Sequence, residues 1–235
     1  LPPSQKVSAS PAEAGKSMKV GVLALQGAFI EHQSILNRLG VESVQVRLPQ
    51  HLVGLNALII PGGESTTIGK LAVEFGLLEP LREFGKEHAM WGTCAGAILM
   101  AKDVHRKQPL LELMDITIER NSFGRQVDSF EVDLNIPVLS NPDGSNPPFH
   151  AVFIRAPLIE SIHGGAVALA SLGDGRIVAC QQGRLLATAF HPELTNDDRF
   201  HRHFLNLALL LGGYESRGSF PGRREGRGRG ATFTA

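Results

Sequence analysis

The feature that most constrains the fold is a sharp turn between an apolar strand and a helix. The turn has the sequence GTCAG at 92–96, after an apolar run over 89–91 and before a helical run over 95–101. Such a turn strains its central residue and leaves room only for glycine two positions away on each side. It would present the Cys94 thiol at a helix N-terminus, which favours the thiolate. By itself the motif fits a buried structural cysteine equally well.

The hydrophobic pattern around this turn predicts an α/β fold. Before the turn, we expect apolar strands over 19–25, 41–48 and 55–60, and helices over 29–39, 68–75 and 77–87. After it, short strands are expected over 114–119, 129–134, 151–157, 167–172, 176–181 and 185–190, then a helix over 199–211. The pattern predicts a doubly wound, mainly parallel central sheet flanked by helices, with antiparallel hairpins added in the second half.

A glycine-rich loop, PGGESTT at 61–67, directly follows the third strand. Loops at the carboxyl ends of strands bind ligands in such sheets, and two adjacent glycines let a peptide turn its N–H into a site. Ser65, Thr66 or Thr67 is expected to cap the next helix. A phosphate-binding P-loop is excluded because its lysine is absent. A tight turn with a helix cap is the alternative explanation.

A candidate base for Cys94 stands at the end of the last expected strand. In extended backbone, residues two apart face the same side. Glu193 could therefore bind one ring nitrogen of His191 and orient the ring, while the other nitrogen faces the Cys94 thiol. The intervening Pro192 would keep the pair in register. The chain has nine histidines, so the inference depends on the combination with the Cys94 turn.

Composition limits the classes of protein to consider. The chain has 235 residues and a hydrophobic fraction of 43%, which predicts one domain with flexible ends. Lys plus Arg and Asp plus Glu each total 23, which argues against a nucleic-acid or membrane-surface binder. Two cysteines, Cys94 and Cys180, give no disulfide framework and indicate a reducing compartment, which we take as cytoplasmic. No apolar run reaches the length of a membrane span.

The two ends of the chain differ from its body. Residues 1–17 are expected to be a disordered extension or a remnant of cloning, and 214–235 a disordered Arg/Gly-rich tail. Such a tail could bind RNA, but a solvated tail is favoured.

Six segments occur in a characteristic order: LALQG at 23–27, PGGESTT at 61–67, GTCAG at 92–96, ERNSFGRQ at 119–126, FIRAP at 153–157 and FHPELT at 190–195. Together they resemble the glutaminase subunit of pyridoxal 5′-phosphate synthase, the PdxT/SNO family of class I triad-type glutamine amidotransferases. The resemblance runs from about Met18 to Leu211. It departs at Glu112, where a glycine is expected, and in the Arg/Gly-rich tail.

The resemblance implies a glutaminase domain over 18–213 that hydrolyses L-glutamine to L-glutamate and ammonia through a Cys thioester. Cys94 would be the nucleophile, His191 the general base and acid, and Glu193 its orienter. The residues implied to bind glutamine are Gly63, Glu64, Ser65, Arg120, Ile154 and Arg155. A buried arginine suits an α-carboxylate because it binds in a bidentate manner. Backbone N–H groups of Gly63 and Ala95 would form the oxyanion hole.

The resemblance also implies a partner, a separate pyridoxal 5′-phosphate synthase subunit that receives the ammonia within a hetero-oligomer. From the sequence we expect no cofactor, no metal site and no membrane association. A flip of the Gly62–Gly63 peptide on docking would explain why activity in the family depends on that partner. The alternatives are another triad-type amidotransferase or amidase, and a catalytically silent scaffold that only binds the synthase.

Overall fold

The computed structural model describes residues 18–120, 129–141 and 143–209. The terminal segments expected at 1–17 and 214–235 lie outside the described residues, and so do residues 121–128, which include most of the RNSFGRQ motif of 120–126.

Within these ranges the strands, in chain order, are β1 (Lys19–Leu23), β2 (Glu42–Val46), β3 (Ala57–Ile60), β4 (Ala89–Thr93), β5 (Ala101–Asp103), β6 (Met114–Glu119), β7 (Ser129–Leu134), β8 (Phe149–Ile154), β9 (Leu158–Ile162), β10 (Ala166–Ser171), β11 (Ile177–Gln182) and β12 (Leu185–Thr188). The helices are α1 (Phe29–Arg38), α2 (Ser65–Glu74), α3 (Leu78–Glu87), α4 (Ala95–Met100) and α5 (Arg199–Leu209). Short 3-10 turns lie at Pro49–Leu52, Pro137–Leu139 and Pro192–Leu194.

One large sheet organises the part of the chain that the structure describes. Its strand order is β2-β1-β3-β4-β12-β11-β9-β6-β5, and β10 pairs with β11 beside this path. Strands β2, β1, β3, β4 and β12 run parallel. Strand β11 is antiparallel to β12, β10 and β9, and β7 and β8 form a separate antiparallel pair. The mainly parallel sheet with antiparallel additions in the second half is therefore confirmed.

The parallel strands are buried on both faces. Along β3, Leu58 and Ile60 pack into a core with α2, α3 and α4. Ala57 and Ile59 pack into a second core with α1, α5 and the β7–β8 pair. Because both faces are covered, the strand is a continuous apolar run rather than an alternating one, which is why the sequence pattern identifies it. Helices on both faces make the fold doubly wound.

The sequence pattern predicts neither β5 nor β9. Strand β5 has three residues and begins where α4 ends, so the helix expected over 95–101 stops at Met100. Strand β9 is only partly buried and carries a glutamate and a serine. It is held by backbone pairing with β6 on one side and β11 on the other, which no local pattern reveals. None of the helices in the described ranges combines the length and the apolar character needed to cross a bilayer.

Candidate active site

The carboxyl ends of three adjacent parallel strands bring the candidate catalytic residues together. Cys94 directly follows β4, the glycine-rich loop follows β3, and His191 lies just beyond β12, on the other side of β4. A Cβ atom added to Gly62 would lie 2.4 Å from Cε1 of His191 and 3.4 Å from Cβ of Cys94. The loop, the thiol and the imidazole therefore meet at one point, although they are far apart in sequence.

The turn at Cys94 has the strained geometry that its sequence predicts. Cys94 has φ 48° and ψ −104°, a conformation that side chains rarely adopt. A Cβ at Gly92 would lie 2.4 Å from the carbonyl carbon of Gly96, and one at Gly96 would lie 2.0 Å from the backbone oxygen of Ile60. Both glycines are thus required by close backbone contacts, which confirms the expected turn. The Cys94 N–H also donates to the Thr188 carbonyl at 2.8 Å.

His191 and Glu193 form the expected pair, but through a different backbone conformation. Nδ1 of His191 lies 2.7 Å from Oε1 of Glu193. The expectation of an extended segment is wrong, because Pro192–Leu194 forms a 3-10 turn in which the Leu194 N–H donates to the His191 carbonyl at 3.2 Å. The fixed φ of Pro192 suits the first position of such a turn. The turn folds the carboxylate of Glu193 back onto the preceding ring.

Electrostatics at this pair favour a charged imidazolium. Burial alone lowers the pKa of His191, but hydrogen bonds to Cys94 and Glu193 and the charges of both partners outweigh it and raise the pKa to about 10. Burial would raise the pKa of Glu193, yet His32 and the hydrogen bond from His191 together lower it. The arrangement holds a proton on His191 beside the sulfur and stabilises it from behind with a carboxylate.

The glycine-rich loop is held by the segment that follows β1. The Glu64 N–H donates to Oε1 of Gln26 at 2.7 Å, and the Ala28 N–H donates to the Gly62 carbonyl at 3.1 Å. A Cβ at Gly63 would lie 2.4 Å from Oε1 of Gln26. Sequence reasoning missed this role of Gln26. The sequence offered one indication of this role. Gln26 follows the first strand, and the carboxyl ends of neighbouring parallel strands meet at one place, so Gln26 could be expected near the loop after β3.

Glu64 caps helix α2. Its carboxylate accepts hydrogen bonds from the backbone N–H groups of Thr66 and Thr67, at 3.1 and 2.7 Å, and from the Thr67 hydroxyl at 2.7 Å. The expectation that Ser65, Thr66 or Thr67 is the cap is therefore wrong. A charged carboxylate interacts more favourably with a helix N-terminus than a hydroxyl does. Burial would raise the pKa of Glu64, but the hydrogen bonds from Thr67 and Thr66 lower it to about 2.

The two arginines expected to bind glutamine differ in environment. Arg120 is mostly buried, with 19% of its side chain exposed, and its guanidinium lies 3.1 Å from Oε1 of Glu64. It also donates to Oγ1 of Thr66 at 3.0 Å, so the structure places it beside the loop. Arg155 is exposed, as is the neighbouring Ile154, and has φ +44°. The expectation of a buried arginine thus holds for Arg120 and is wrong for Arg155.

The start of helix α4 supplies a backbone donor beside Cys94. Among the described residues, no group of three or more His, Cys, Asp or Glu side chains is placed to hold a metal ion. The Ala95 N–H lies in the first turn of α4, where backbone donors have no acceptor within the helix. It is therefore available to an oxyanion next to Cys94.

Comparisons with known proteins identify a family for this chain. The family model for the SNO glutamine amidotransferase family matches residues 22–209. A protein of Herpetosiphon aurantiacus named pyridoxal 5′-phosphate synthase subunit PdxT is 62% identical over 195 residues, covering 81% of this chain and 100% of that protein. Its namesake from Deinococcus radiodurans is 56% identical over 198 residues, covering 81% of this chain and 97% of that protein.

Solved structures give the same result. The crystal structure of a glutamine amidotransferase with 52% sequence identity matches with a TM-score of 0.75 and covers 80% of this chain and 98% of that one. PurLQS from Thermotoga maritima, at 16% identity and a TM-score of 0.60, covers 81% of this chain and 98% of that one, and so shares the fold. The resemblance drawn from the sequence motifs is confirmed. The chain belongs to the SNO glutamine amidotransferase family.

Proposed function

We propose that this chain is the glutaminase subunit of a pyridoxal 5′-phosphate synthase, hydrolysing L-glutamine and delivering ammonia to the synthase subunit. The observation that carries the proposal is the meeting of Cys94, His191 and Glu193 at the carboxyl ends of β4 and β12, with the Gly62 loop beside them. The names of its relatives give the class of partner.

The chemistry follows from the three side chains. The Cys94 thiolate attacks the side-chain amide carbon of glutamine and forms a tetrahedral intermediate. The proton held on His191 passes to the departing amine, so ammonia leaves and a thioester remains. His191, now neutral, takes a proton from a water molecule that attacks the thioester, and glutamate is released. Glu193 stabilises each imidazolium that forms.

We assign the oxyanion hole to the backbone N–H groups of Ala95 and Gly63. The carbonyl of Gly62 accepts from the Ala28 N–H, and the N–H of the same trans peptide points the opposite way. A flip of the Gly62–Gly63 peptide needs the breaking of this one hydrogen bond. Docking of the synthase subunit would select between the two orientations, and the adjacent glycines make both accessible.

We assign glutamine recognition to Arg120 together with Gly63, Glu64, Ser65, Ile154 and Arg155. Arg120 would bind the α-carboxylate, for which its planar guanidinium is suited. Its present partners are one oxygen of Glu64 at 3.1 Å, the Thr66 hydroxyl at 3.0 Å and Oε1 of Gln108 at 3.2 Å, and only the first is charged. Glu64 keeps its two backbone hydrogen bonds at the start of α2, so Arg120 can exchange this ion pair for substrate without unwinding the helix.

We propose that residues 18–213 form the glutaminase domain and that it acts in the cytoplasm. The compartment is inferred from the two cysteines, both of which are free thiols in the structure.

The test is glutamate release from glutamine, measured with and without a pyridoxal 5′-phosphate synthase subunit. We expect strong stimulation by the partner, and a loss of more than about 1000-fold in Cys94→Ala, because the covalent intermediate cannot form. The matched control is Cys180→Ala, which removes the other cysteine, buried in β11 away from the loop, and should retain turnover. Full activity without the partner would indicate a self-sufficient amidase. Intact binding without any turnover would indicate a silent scaffold.

A further inference from the structure

A pair of buried histidines lies on the Oε2 side of the Glu193 carboxylate. Nε2 of His32 is 3.5 Å from Oε2 of Glu193 and 3.3 Å from the hydroxyl oxygen of Thr93. Its other ring nitrogen, Nδ1, is 3.0 Å from Nε2 of His201. Both imidazoles are fully buried. The line of contacts that starts at Cys94 and His191 thus continues through Glu193 into the protein interior.

The electrostatic surroundings keep His32 neutral. Burial is the largest influence and lowers the pKa of His32, and the charge of His191 lowers it further, while the carboxylates of Glu193 and Glu31 oppose this. Burial and the neighbouring His32 also lower the pKa of His201. Each ring therefore carries one N–H donor and one lone pair.

The contacts decide which nitrogen of each ring carries the proton. A lone pair on Nε2 of His32 would face the negative oxygen of Glu193, so we assign the proton to Nε2. Nδ1 of His32 is then an acceptor, and Nε2 of His201 is its donor. This leaves Nδ1 of His201 as a lone pair, which has no hydrogen-bond partner among the described residues.

Aromatic packing fixes both rings in place. The ring of Trp91 meets His32 edge-on at 5.5 Å between centroids and meets His201 in the same way at 4.9 Å. Trp91 is itself anchored by a hydrogen bond from its indole N–H to the Thr188 hydroxyl at 3.3 Å. His32 is supplied by α1 and His201 by α5, so the pair is held between two helices and β4.

From this geometry we propose that His32 is a positioning residue for glutamine hydrolysis. Its Nε2–H faces Oε2 of Glu193 at 3.5 Å and stabilises the negative oxygen electrostatically, at a distance too long for a full hydrogen bond. Oε1 thereby stays directed at Nδ1 of His191, and His201 fixes the tautomer that His32 needs. The role deepens the proposed function and rests on it. Oε2 of Glu193 has no hydrogen-bond partner among the described residues, so the N–H dipole of His32 at 3.5 Å is what stabilises this buried negative oxygen. Without it, the carboxylate would rotate away from His191 to find a donor.

The test compares two substitutions of His32 in the complex with the synthase subunit. His32→Leu removes the donor but fills similar space, whereas His32→Gln places an amide N–H near the position of Nε2. We expect kcat of His32→Leu to fall about 10–100-fold with KM unchanged within about threefold, because a support of the catalytic group is lost rather than a substrate contact. His32→Gln should recover most of the loss. If His32→Leu does not fold, His32→Asn replaces it, since its amide is too short to reach Glu193.

A second readout needs neither substrate nor partner. Alkylation of Cys94 in the full chain by iodoacetamide at pH 7 reports how well His191 supports the thiolate. We expect this rate to fall in His32→Leu and to recover in His32→Gln. The control is Ile35→Val, a buried truncation on the same helix, which should lower the thermal stability and leave both rates unchanged.

Two results would overturn the proposal: wild-type rates in His32→Leu, or equal losses in His32→Leu and His32→Gln that follow thermal stability alone. Failure of the proposed function would give a different result from failure of the His32 proposal. In that case the wild-type complex does not hydrolyse glutamine, while the alkylation rates still report on His32.

Discussion

Backbone strain at single residues marks the site. Among the described residues, Cys94, His105, Glu112 and Arg155 are the non-glycine residues with positive φ. Cys94 is the proposed nucleophile and Arg155 is one of the residues proposed to bind glutamine. Strain of about 1–3 kcal/mol per residue at such positions is maintained by the surrounding structure. Glu112 has φ +57° at the position where the family resemblance predicts a glycine. The left-handed backbone explains that expectation, because glycine adopts it without penalty.

Replacing Glu112 by glycine should therefore stabilise the protein. Relief of left-handed strain is worth about 1–2 kcal/mol, offset by about 0.5–1 kcal/mol for the greater freedom of glycine in the unfolded chain. The ion pair lost is weak, since Glu112 is 60% exposed and 3.8 Å from Arg82. We expect a gain of up to about 1 kcal/mol in the free energy of unfolding for Glu112→Gly. Chemical denaturation measures it, with Glu112→Ala as the control that keeps the strain. Equal effects of the two substitutions would contradict this explanation.

At the level of elements, the N-terminus of α2 connects stability with the substrate loop. The carboxylate of Glu64 caps the helix, and its backbone N–H fixes the loop to Gln26. The element that shapes the site therefore depends on one ionised side chain. The pKa of Glu64 in the folded chain is about 2, compared with an ordinary value of 4.5. A lowered folded-state pKa gives stability that is present above pH 4.5 and is lost as pH falls through about 2.

Glu64→Gln should thus destabilise the protein in a pH-dependent way. Since the side chain is 48% exposed, we expect a loss of about 1 kcal/mol at pH 7, the size of an ordinary helix cap. The difference from wild type should shrink as pH falls below about 4.5. Urea unfolding at several pH values measures this. Glu74→Gln, an exposed change at the other end of α2, should stay within about 0.5 kcal/mol at every pH. A pH-independent loss in Glu64→Gln would contradict the assignment.

At the scale of the whole molecule, the two cysteines differ in their position along the strands of the central sheet. One lies at the end of a strand and the other lies within a strand. Cys94 lies at the carboxyl end of β4 and is 6% exposed, while Cys180 is fully buried in β11. Burial raises the pKa of Cys180 to about 12. Strand β11 is paired with β10, β12 and β9, so Cys180 becomes accessible only when the sheet opens.

We therefore expect iodoacetamide to label Cys94 in the native protein and Cys180 only after global unfolding. Native-state labelling of Cys180 should be at least about 100-fold slower, because a buried thiol is almost entirely protonated at pH 7. Peptide mass spectrometry over time, with and without denaturant, separates the two rates. Comparable native rates would show instead that β11 opens locally.

The sequence by itself determined the elements whose physics is local or strongly patterned. Continuous apolar runs identify β1, β3 and β4 because both faces of the parallel sheet are covered. The glycines at 92 and 96 identify the strained turn at Cys94 because no larger residue fits there. The family motifs lead to the triad and to Arg120, and these residues do lie around one loop.

Only the tertiary structure decided the contacts between residues distant in sequence. Glu64 and Gln26 are 38 positions apart, and His32 and His201 are 169 apart. Pairing places β9 between β6 and β11, although its own residues are weakly patterned. His32 and His201 differ from the chain's other histidines because they are buried behind Glu193, and nothing in the local sequence indicates this position. Such contacts arise when helices from opposite ends of the chain pack on the same face of the sheet, and hydrophobic burial of the whole core sets that packing.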